Sequence, residues 1–534
     1  ANTRFSTQIW NTSRQLARTS LASLARSGPK PTVQPRRWRH WSVEKDTYTI
    51  PEGGPKIDIE RIHNVLETTK AKAKDPGAVR AILQKARDNS LLKDKIGPVH
   101  EPLGPGLSLE EAGVLINIDT KKDDLIHELY QTAFDIKERI YGNRIVLFAP
   151  LYLSSYCVNT CTYCGYSCRN KTTPRSALST PEIVREVEAL QRQGHRRLLL
   201  LTGEHPKFTF EQFLEAVETV KTTVTEPAGA IRRINVEIPA LSVTDFKRLH
   251  KLDCVGTYTL FQETYHEPTF HRVHPAGPKS DFTHRLQTMD RAQIAGLGDV
   301  GIGALFGLYD YRFEVLAMME HAAHLDRCFG TGPHTISVPR LQPAAEAPDA
   351  INPPAPVSDD DFKKLVAVIR CAVPYTGMIL STREPRSLRK ELLEMGISQM
   401  SAGSSTEMRG YTHDDNEDQI AGQFSLQDTR GLSEVVTQLC RDGYCPSFCT
   451  ACYRVGRTGE AFMKLAKTGK IHSFCHPNAL LTLQEYVEDY APEDNVGELQ
   501  RRIAEETGTL PSNVQGALAK RMTRIRNGER DLFW

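Results

Sequence analysis

The chain has 534 residues, 40% of them hydrophobic and 25% charged, which is enough to bury a large core and to build one big domain with appendages. Its longest apolar runs, 145–150 and 198–201, are strand-sized and far short of the ~20 residues that cross a bilayer, which excludes a membrane span. The formal net charge is +2, too weak a basic balance to point to nucleic acid.

The first 43 residues hold eight Lys or Arg and no Asp or Glu, with many Ser and Thr. That is the composition of an organelle transit peptide, so residues 1–47 are expected to direct import into a mitochondrion, a hydrogenosome or a plastid stroma rather than to fold. With those eight set aside, 59 basic residues face 65 acidic ones and the remainder carries about −6. A Pro- and Arg-rich linker (29–41) leads into an N-terminal extension, 48–142, whose runs at 61–73, 77–92, 108–115 and 123–141 repeat apolar residues every three or four positions, as helices do.

From residue 143 the pattern changes to apolar, β-branched runs, each followed by an amphipathic helical stretch. The runs are 145–154, 196–202, 233–238, 256–263, 299–307, 335–341, 377–383 and 397–403. Helical stretches lie at 181–193, 210–224, 243–251, 282–295, 312–327, 359–371 and 387–393. Eight alternating units predict an α/β fold, a (β/α)8 TIM-type barrel of parallel strands over 143–408. In such barrels the residues just after each strand converge on one mouth. A polar loop at 410–424 opens a smaller, mostly helical C-terminal domain, 409–534, with helices at 492–506 and 510–527.

The chain has twelve cysteines and no secretory h-region, so reduced thiols are expected and metal binding is the question. Directly after the first strand stands SSYCVNTCTYCGY, with Cys157, Cys161 and Cys164 at C-x3-C-x2-C. Three such thiolates suit a [4Fe–4S] cube whose fourth iron stays open to a small molecule. A structural zinc site would want a fourth ligand and repeated C-x2-C pairs. Cys168 is read as a bystander, as are Cys254, Cys328, Cys371 and Cys440.

This signature resembles the radical S-adenosylmethionine (SAM) superfamily. The resemblance implies that the open iron chelates SAM and that a reduced cluster yields a 5′-deoxyadenosyl radical, the protein orienting substrate and excluding water. Further residues fit it. Strand two ends LLTGEHP, where Gly203 would let backbone approach SAM and Glu204 would accept from its ammonium group. Tyr163 stands where superfamily aromatics flank the adenine. Gly301, Gly303 and Gly307 interrupt strand five, as close contact with SAM would require. Arg291 is a weaker candidate for the SAM carboxylate.

The segments CVNTCTYCGY, LFQETYHEPTFHRVHPAGPK, DVGIGALFGLYDYRFE and TISVPRLQPA are similar to the aromatic-amino-acid lyase group, over about 108–490. That group serves thiazole synthesis and [FeFe]-hydrogenase maturation. The likeness implies L-tyrosine as substrate, cut at Cα–Cβ to p-cresol and dehydroglycine. Arg340 and Arg383, ending strands six and seven, would match an amino-acid carboxylate unless barrel carboxylates claim them. Gln262, Glu263, Ser381 and Thr382 lie at the same mouth.

Near the C-terminus, CPSFCTACYRVGRTGEAFMKLAKTGKIHSFCHPNAL places Cys449, Cys452 and Cys475 at C-x2-C-x22-C. Spacing alone leaves open a zinc site completed by His476 or Cys445. Together with CYRxGRTG and FCHPNALLT, it resembles the hydrogenase-maturing branch. That branch implies a second [4Fe–4S]-type cluster with an extra iron, on which dehydroglycine becomes carbon monoxide and cyanide. Free cysteine would be a ligand of that iron, with ferredoxin or flavodoxin as electron donor and hydrogenase maturation scaffold proteins as partners. His334, at the start of strand six and so at the barrel base, is a candidate for the extra iron, with His271, His274, His321 and His324 as alternatives. The competing readings are a thiazole-synthesis tyrosine lyase, which needs no second triad, and a non-catalytic iron–sulfur carrier.

Overall fold

The structure, a computed structural model, describes residues 41, 48–92, 105–412 and 422–534. The basic segment 1–47, read as a targeting peptide, lies outside the described residues apart from Trp41, and so does the middle of the 410–424 loop.

Four helices precede the barrel: Ile59–Thr69, Pro76–Asp88, Leu109–Ile116 and Asp123–Tyr141. Their starts are legible in local chemistry. Asp58 and Asp75 accept from Arg61 and Gly77 backbone N–H groups, and Ser108 and Glu111 form a reciprocal capping box. Each helix turns its apolar stripe inward, through residues such as Ile62, Val79 and Leu115.

The barrel strands are β1 (Arg144–Ser154), β2 (Arg197–Thr202), β3 (Arg233–Glu237), β4 (Val255–Thr259), β5 (Asp299–Gly303), β6 (Thr335–Ser337), β7 (Gly377–Leu380) and β8 (Gln399–Ser401). Each pairs in parallel with the next, and β8 pairs back onto β1 with Val146 opposite Gln399, closing the cylinder. The closed parallel barrel expected from the alternating pattern is therefore present. Gly301 lies inside it between Thr259 and Thr335, where a Cβ would come within 2.6 Å of both hydroxyls.

Two differences from the sequence reading matter. The stretch 282–295 is two helices, Phe282–Leu286 and Thr288–Ile294; the break falls at Gln287, whose side-chain amide donates to the Gly53 carbonyl at 2.8 Å. Four of the eight strands also end three or four residues before their apolar runs do. Residues 260–263, 304–307 and 381–383 lie past the last strand residue, and most of them are buried where they turn into the mouth.

The C-terminal part is joined to the barrel by a ninth strand, β9 (Cys445–Ser447), parallel to the start of β1 with Arg144 opposite Cys445. Helices Gly459–Lys467, His472–Asp489, Glu493–Gly508 and Ser512–Arg526 follow. Among the described residues no helix is long and apolar enough to cross a membrane.

Candidate functional site

The loop after β1 carries Cys157, Cys161 and Cys164 into the barrel mouth. Asn159 organises it: its amide donates to Cys157 Sγ (3.5 Å) and to Glu204 Oε2 (3.2 Å), while its Oδ1 accepts from the Lys279 backbone N–H. Cys164 Sγ accepts from the Tyr166 backbone and from Gln423. Burial pushes the Cys161 thiol up to about 12, with Cys164 and Cys157 adding to it against the pull of Lys279. Burial likewise raises the Cys164 thiol, and sulfurs that resist ionising beside one another suit a polycationic iron centre that takes up their charge.

Most predicted residues of the mouth meet here. Glu204 follows β2 and also accepts from the Trp41 backbone N–H at 3.2 Å. Gly203 is pressed against the cysteine loop, where a Cβ would sit 2.3 Å from the Tyr156 carbonyl oxygen. The glycine thus makes room for the loop itself. A Cβ on Gly303 would meet Phe261 at 2.8 Å and the Ser337 carbonyl at 2.9 Å. Tyr163 is buried, its hydroxyl 2.7 Å from His274 Nε2.

Glu263 adopts φ +72° and is held by Lys279 Nζ (2.6 Å) and Arg285 Nη2 (3.1 Å). Burial opposes its ionisation, but Lys279 and Arg285 keep the carboxyl below its ordinary range. Gln262 is buried beside it with Nε2 unpartnered among the described residues, a donor left for a ligand.

The two predicted arginines differ. Arg340 is claimed by Glu384 and Asp359, the barrel carboxylates that the sequence left open as its partners. Among the described residues the Arg383 guanidinium makes one long hydrogen bond, to the Arg340 carbonyl at 3.5 Å, and stacks 3.3 Å from the Phe424 ring centroid. Its guanidinium remains available to an anion. Ser381 and Thr382 precede it, Thr382 donating its backbone N–H to Ser401 Oγ. Arg291 lies behind the mouth and spends its donors on the Leu241 and His284 carbonyls at 2.7 and 2.6 Å.

The second triad stands at the opposite, N-terminal end of the strands. Cys449, Cys452 and Cys475 line one cavity with Arg144, Arg197, Arg233 and His334. β9 fixes this position, because its pairing with the first residues of β1 delivers Cys449 beneath the barrel. Cys475 is the sulfur held below the ordinary thiol range, by a hydrogen bond with Cys452 and by Arg144, Arg457 and Arg197; Cys452 is pushed up in return. Arg144 Nε and Arg197 Nε are buried and unpartnered among the described residues, so the cavity presents positive charge to whatever fills it. His334 Nδ1 lies 3.3 Å from Asp299 Oδ1, and Asp299 also accepts from Arg233 and the Gly459 backbone. His271, His274, His321 and His324 are engaged with Glu267, Tyr163, Tyr265 and Asp290. His476 pairs with Glu506 at 3.1 Å.

Among the described residues, neither triad gathers its three sulfurs within 4.8 Å of one another. A tetrahedral zinc ion would hold its thiolates roughly 3.8 Å apart. Neither triad, as it stands, is drawn together around a single ion.

The sequence reading missed several residues. At the mouth these are Glu237, Lys279 and Arg285, while His274, read as an alternative for the extra iron, instead stands against Tyr163. Burial, then Glu263, pushes the Glu237 carboxyl up to about 7 against the pull of Arg383. At the base they are Arg144, Arg197 and Arg233. A signal existed for these, since each is the first residue of a strand in an otherwise apolar run.

Comparison with known proteins agrees with this geometry. The family profile of the Radical SAM superfamily matches residues 151–322, and that of the Biotin and Thiamin Synthesis associated domain matches 337–445. The chain is 32% identical over 323 residues to 2-iminoacetate synthase of Escherichia coli strain K12, covering 60% of this chain and 82% of that protein. It is similar to a crystal structure of HydG, a maturase of the [FeFe]-hydrogenase, with 47% identity and a TM-score of 0.82 over 90% of this chain and 99% of that one. HydG from Carboxydothermus hydrogenoformans gives 38% identity and a TM-score of 0.73 over 87% and 97%. A match over 90% of the chain exceeds the 448 residues ahead of Cys449, so the likeness extends into the part that carries the second triad.

Proposed function

This chain belongs to the radical SAM enzymes of the HydG and 2-iminoacetate synthase group, and from that premise we propose the reaction it serves. It cleaves L-tyrosine at Cα–Cβ to p-cresol and dehydroglycine, and converts the latter to carbon monoxide and cyanide for assembly of the [FeFe]-hydrogenase active site. The observation that carries the second half is the cavity shared by Cys449, Cys452, Cys475 and His334, which a tyrosine lyase for thiazole synthesis has no use for.

When bound, the front cluster supplies an electron to SAM, and the second cluster with its extra iron supplies a metal centre for diatomic products. Cys157, Cys161 and Cys164 would hold the first, Cys449, Cys452 and Cys475 would hold the second, and His334 would serve the extra iron. Glu204, braced by Asn159, is placed to accept from the SAM ammonium, with Tyr163 beside the adenine. Arg383 offers a guanidinium to the tyrosine carboxylate. Lys279 and Arg285 hold Glu263 ionised, which fixes the charge pattern of the mouth. Glu237 holds or releases a proton at its carboxylate near neutral pH.

The same reading supplies the remaining partners by class: ferredoxin or flavodoxin as electron donor, free cysteine at the extra iron, and maturation scaffold proteins as acceptors. It also assigns 1–47 to organelle targeting, with Trp41 at its end retained against Glu204 and Phe208, 48–142 to an N-terminal extension, 143–408 to the barrel and 409–534 to the second-cluster region.

Anaerobic reconstitution with iron and sulfide, followed by SAM, dithionite and tyrosine, tests the proposal. 5′-Deoxyadenosine, p-cresol, carbon monoxide and cyanide are all expected. p-Cresol without either diatomic product would return the chain to the thiazole type. Absence of deoxyadenosine would leave only an iron–sulfur carrier.

A further inference from the structure

The helix Tyr311–Phe329 carries His324 and Cys328 four residues apart, so both side chains rise from one face. Cys328 Sγ lies 3.7 Å from His324 Nδ1, and Glu52 Oε2 lies 3.8 Å from the same nitrogen. These sulfur, nitrogen and oxygen atoms all fall within 4.8 Å of one another, the one such group of His, Cys and acidic side chains among the described residues. Glu52 reaches the helix from the turn Pro51–Gly53, where it adopts φ +53°.

The other face of the imidazole is braced. His324 Nε2 lies 2.7 Å from Asp290 Oδ1. Asp290 is fully buried, and its Oδ2 has no partner among the described residues. A buried carboxylate with one oxygen unmet is costly unless positive charge stands nearby. In metal sites this arrangement, carboxylate to histidine to ion, fixes the tautomer that frees the opposite nitrogen.

We propose that Glu52, His324 and Cys328 form a site for a borderline-soft divalent cation, with Zn²⁺ the ion best matched, separate from both iron–sulfur sites. A tetrahedral ion about 2.0 Å from nitrogen and about 2.3 Å from sulfur sets those two atoms about 3.5 Å apart, close to the spacing present before any ion draws them in. The mixed S, N, O set suits zinc rather than magnesium or calcium. The plain alternative is that Glu52 is there for Arg327, whose Nε and Nη2 it accepts at 3.0 and 2.8 Å. That pair explains Glu52 and explains neither Cys328 nor Asp290. In the loaded site Arg327 keeps one carboxylate oxygen while the ion takes the other. The ion ties the turn at 51–53 to a barrel helix.

Co²⁺, whose thiolate complexes absorb in the near ultraviolet, is the probe. It is added anaerobically to the full chain with both clusters reconstituted and no free cysteine present. One equivalent is expected to give a thiolate-to-cobalt band that Zn²⁺ displaces. Cys328→Ala is expected to abolish the band, with cluster EPR and p-cresol formation unchanged. His334→Ala is expected to leave it in place, which separates this site from the second-cluster cavity. Asp290→Asn is expected to keep the band and weaken binding by about 10- to 100-fold. Should that buried variant fail to fold, Glu52→Ala at the surface is expected to weaken binding at least about tenfold. Absence of a band in the parent, or an undiminished band in Cys328→Ala, would overturn the proposal.

Discussion

Nδ1 of His334 stands 3.3 Å from Oδ1 of Asp299 at the foot of the barrel, so a buried carboxylate aims the imidazole while its ring lines the cavity of the second triad. The pair links chemistry to stability. Burial alone would raise the Asp299 pKa, but His334 and Arg233 depress it to about 2. A depressed carboxylate stabilises the fold above its unfolded value of 3.8 and loses that contribution as pH falls toward about 2. Asp299→Asn is therefore expected to flatten the acid limb of an unfolding profile. His334→Ala is expected to hold p-cresol formation within about twofold and to lower carbon monoxide by about 10- to 100-fold.

The two triads predict a division of labour. Cys157→Ala is expected to abolish both 5′-deoxyadenosine and p-cresol. Replacing Cys449 and Cys452 with alanine is expected to spare p-cresol and remove carbon monoxide. Parallel product assays decide the matter, and equal loss of both products from the second variant would refute the separation.

Glu237 gives a pH signature of the opposite sign. Its folded pKa of about 7 lies above the ordinary 4.5, so the folded state binds the extra proton and loses stability as pH rises through about 7. Glu237→Gln fixes the neutral form. The melting temperature of the variant relative to the parent is expected to climb between about pH 6 and about pH 8, and a constant difference would contradict this.

Arg340 and Arg383 should fail in different ways. Removing Arg340 strands the buried Glu384 carboxylate, so Arg340→Ala is expected to cost about 3–5 kcal/mol of stability. Arg383→Lys keeps the charge and loses the planar fork. Its expected effect is a higher KM for tyrosine with little change in melting temperature. A stable Arg340 variant with a raised KM would restore that residue to substrate binding.

Trp41 sets a limit on N-terminal truncation. Its ring contacts Phe208, Phe210 and Phe213, its indole N–H donates to the Phe208 carbonyl at 2.6 Å, and its backbone N–H donates to Glu204. A chain beginning at Arg39 is expected to match the full chain in p-cresol formation. One beginning at Ser42 is expected to bind SAM more weakly, because Glu204 loses a partner; equilibrium dialysis distinguishes them.

Period and spacing carried the sequence reading a long way. All eight strand cores and both sulfur triads were legible, because alternation and short Cys intervals are local properties of the chain. Strand ends were not, since apolar residues run on past the last paired position into a buried mouth. Long-range closeness was also hidden: nothing near Glu237 in sequence foretells Glu263 or Arg383, and nothing near Glu52 foretells Cys328. Arg340 was visible as a strand-end cation, but Glu384, which claims it, lies after a different strand.

The eleven residues of β1 outrun their barrel neighbour, for β8 pairs from Val146 onward and β9 takes the projecting start. The region below the cylinder is thus stitched into the cylinder's own hydrogen-bond ladder. Cutting the chain ahead of Cys445 would leave a row of main-chain amides and carbonyls without mates. The catalytic barrel and its metal-bearing tail are consequently not interchangeable modules, and they should melt as one cooperative unit.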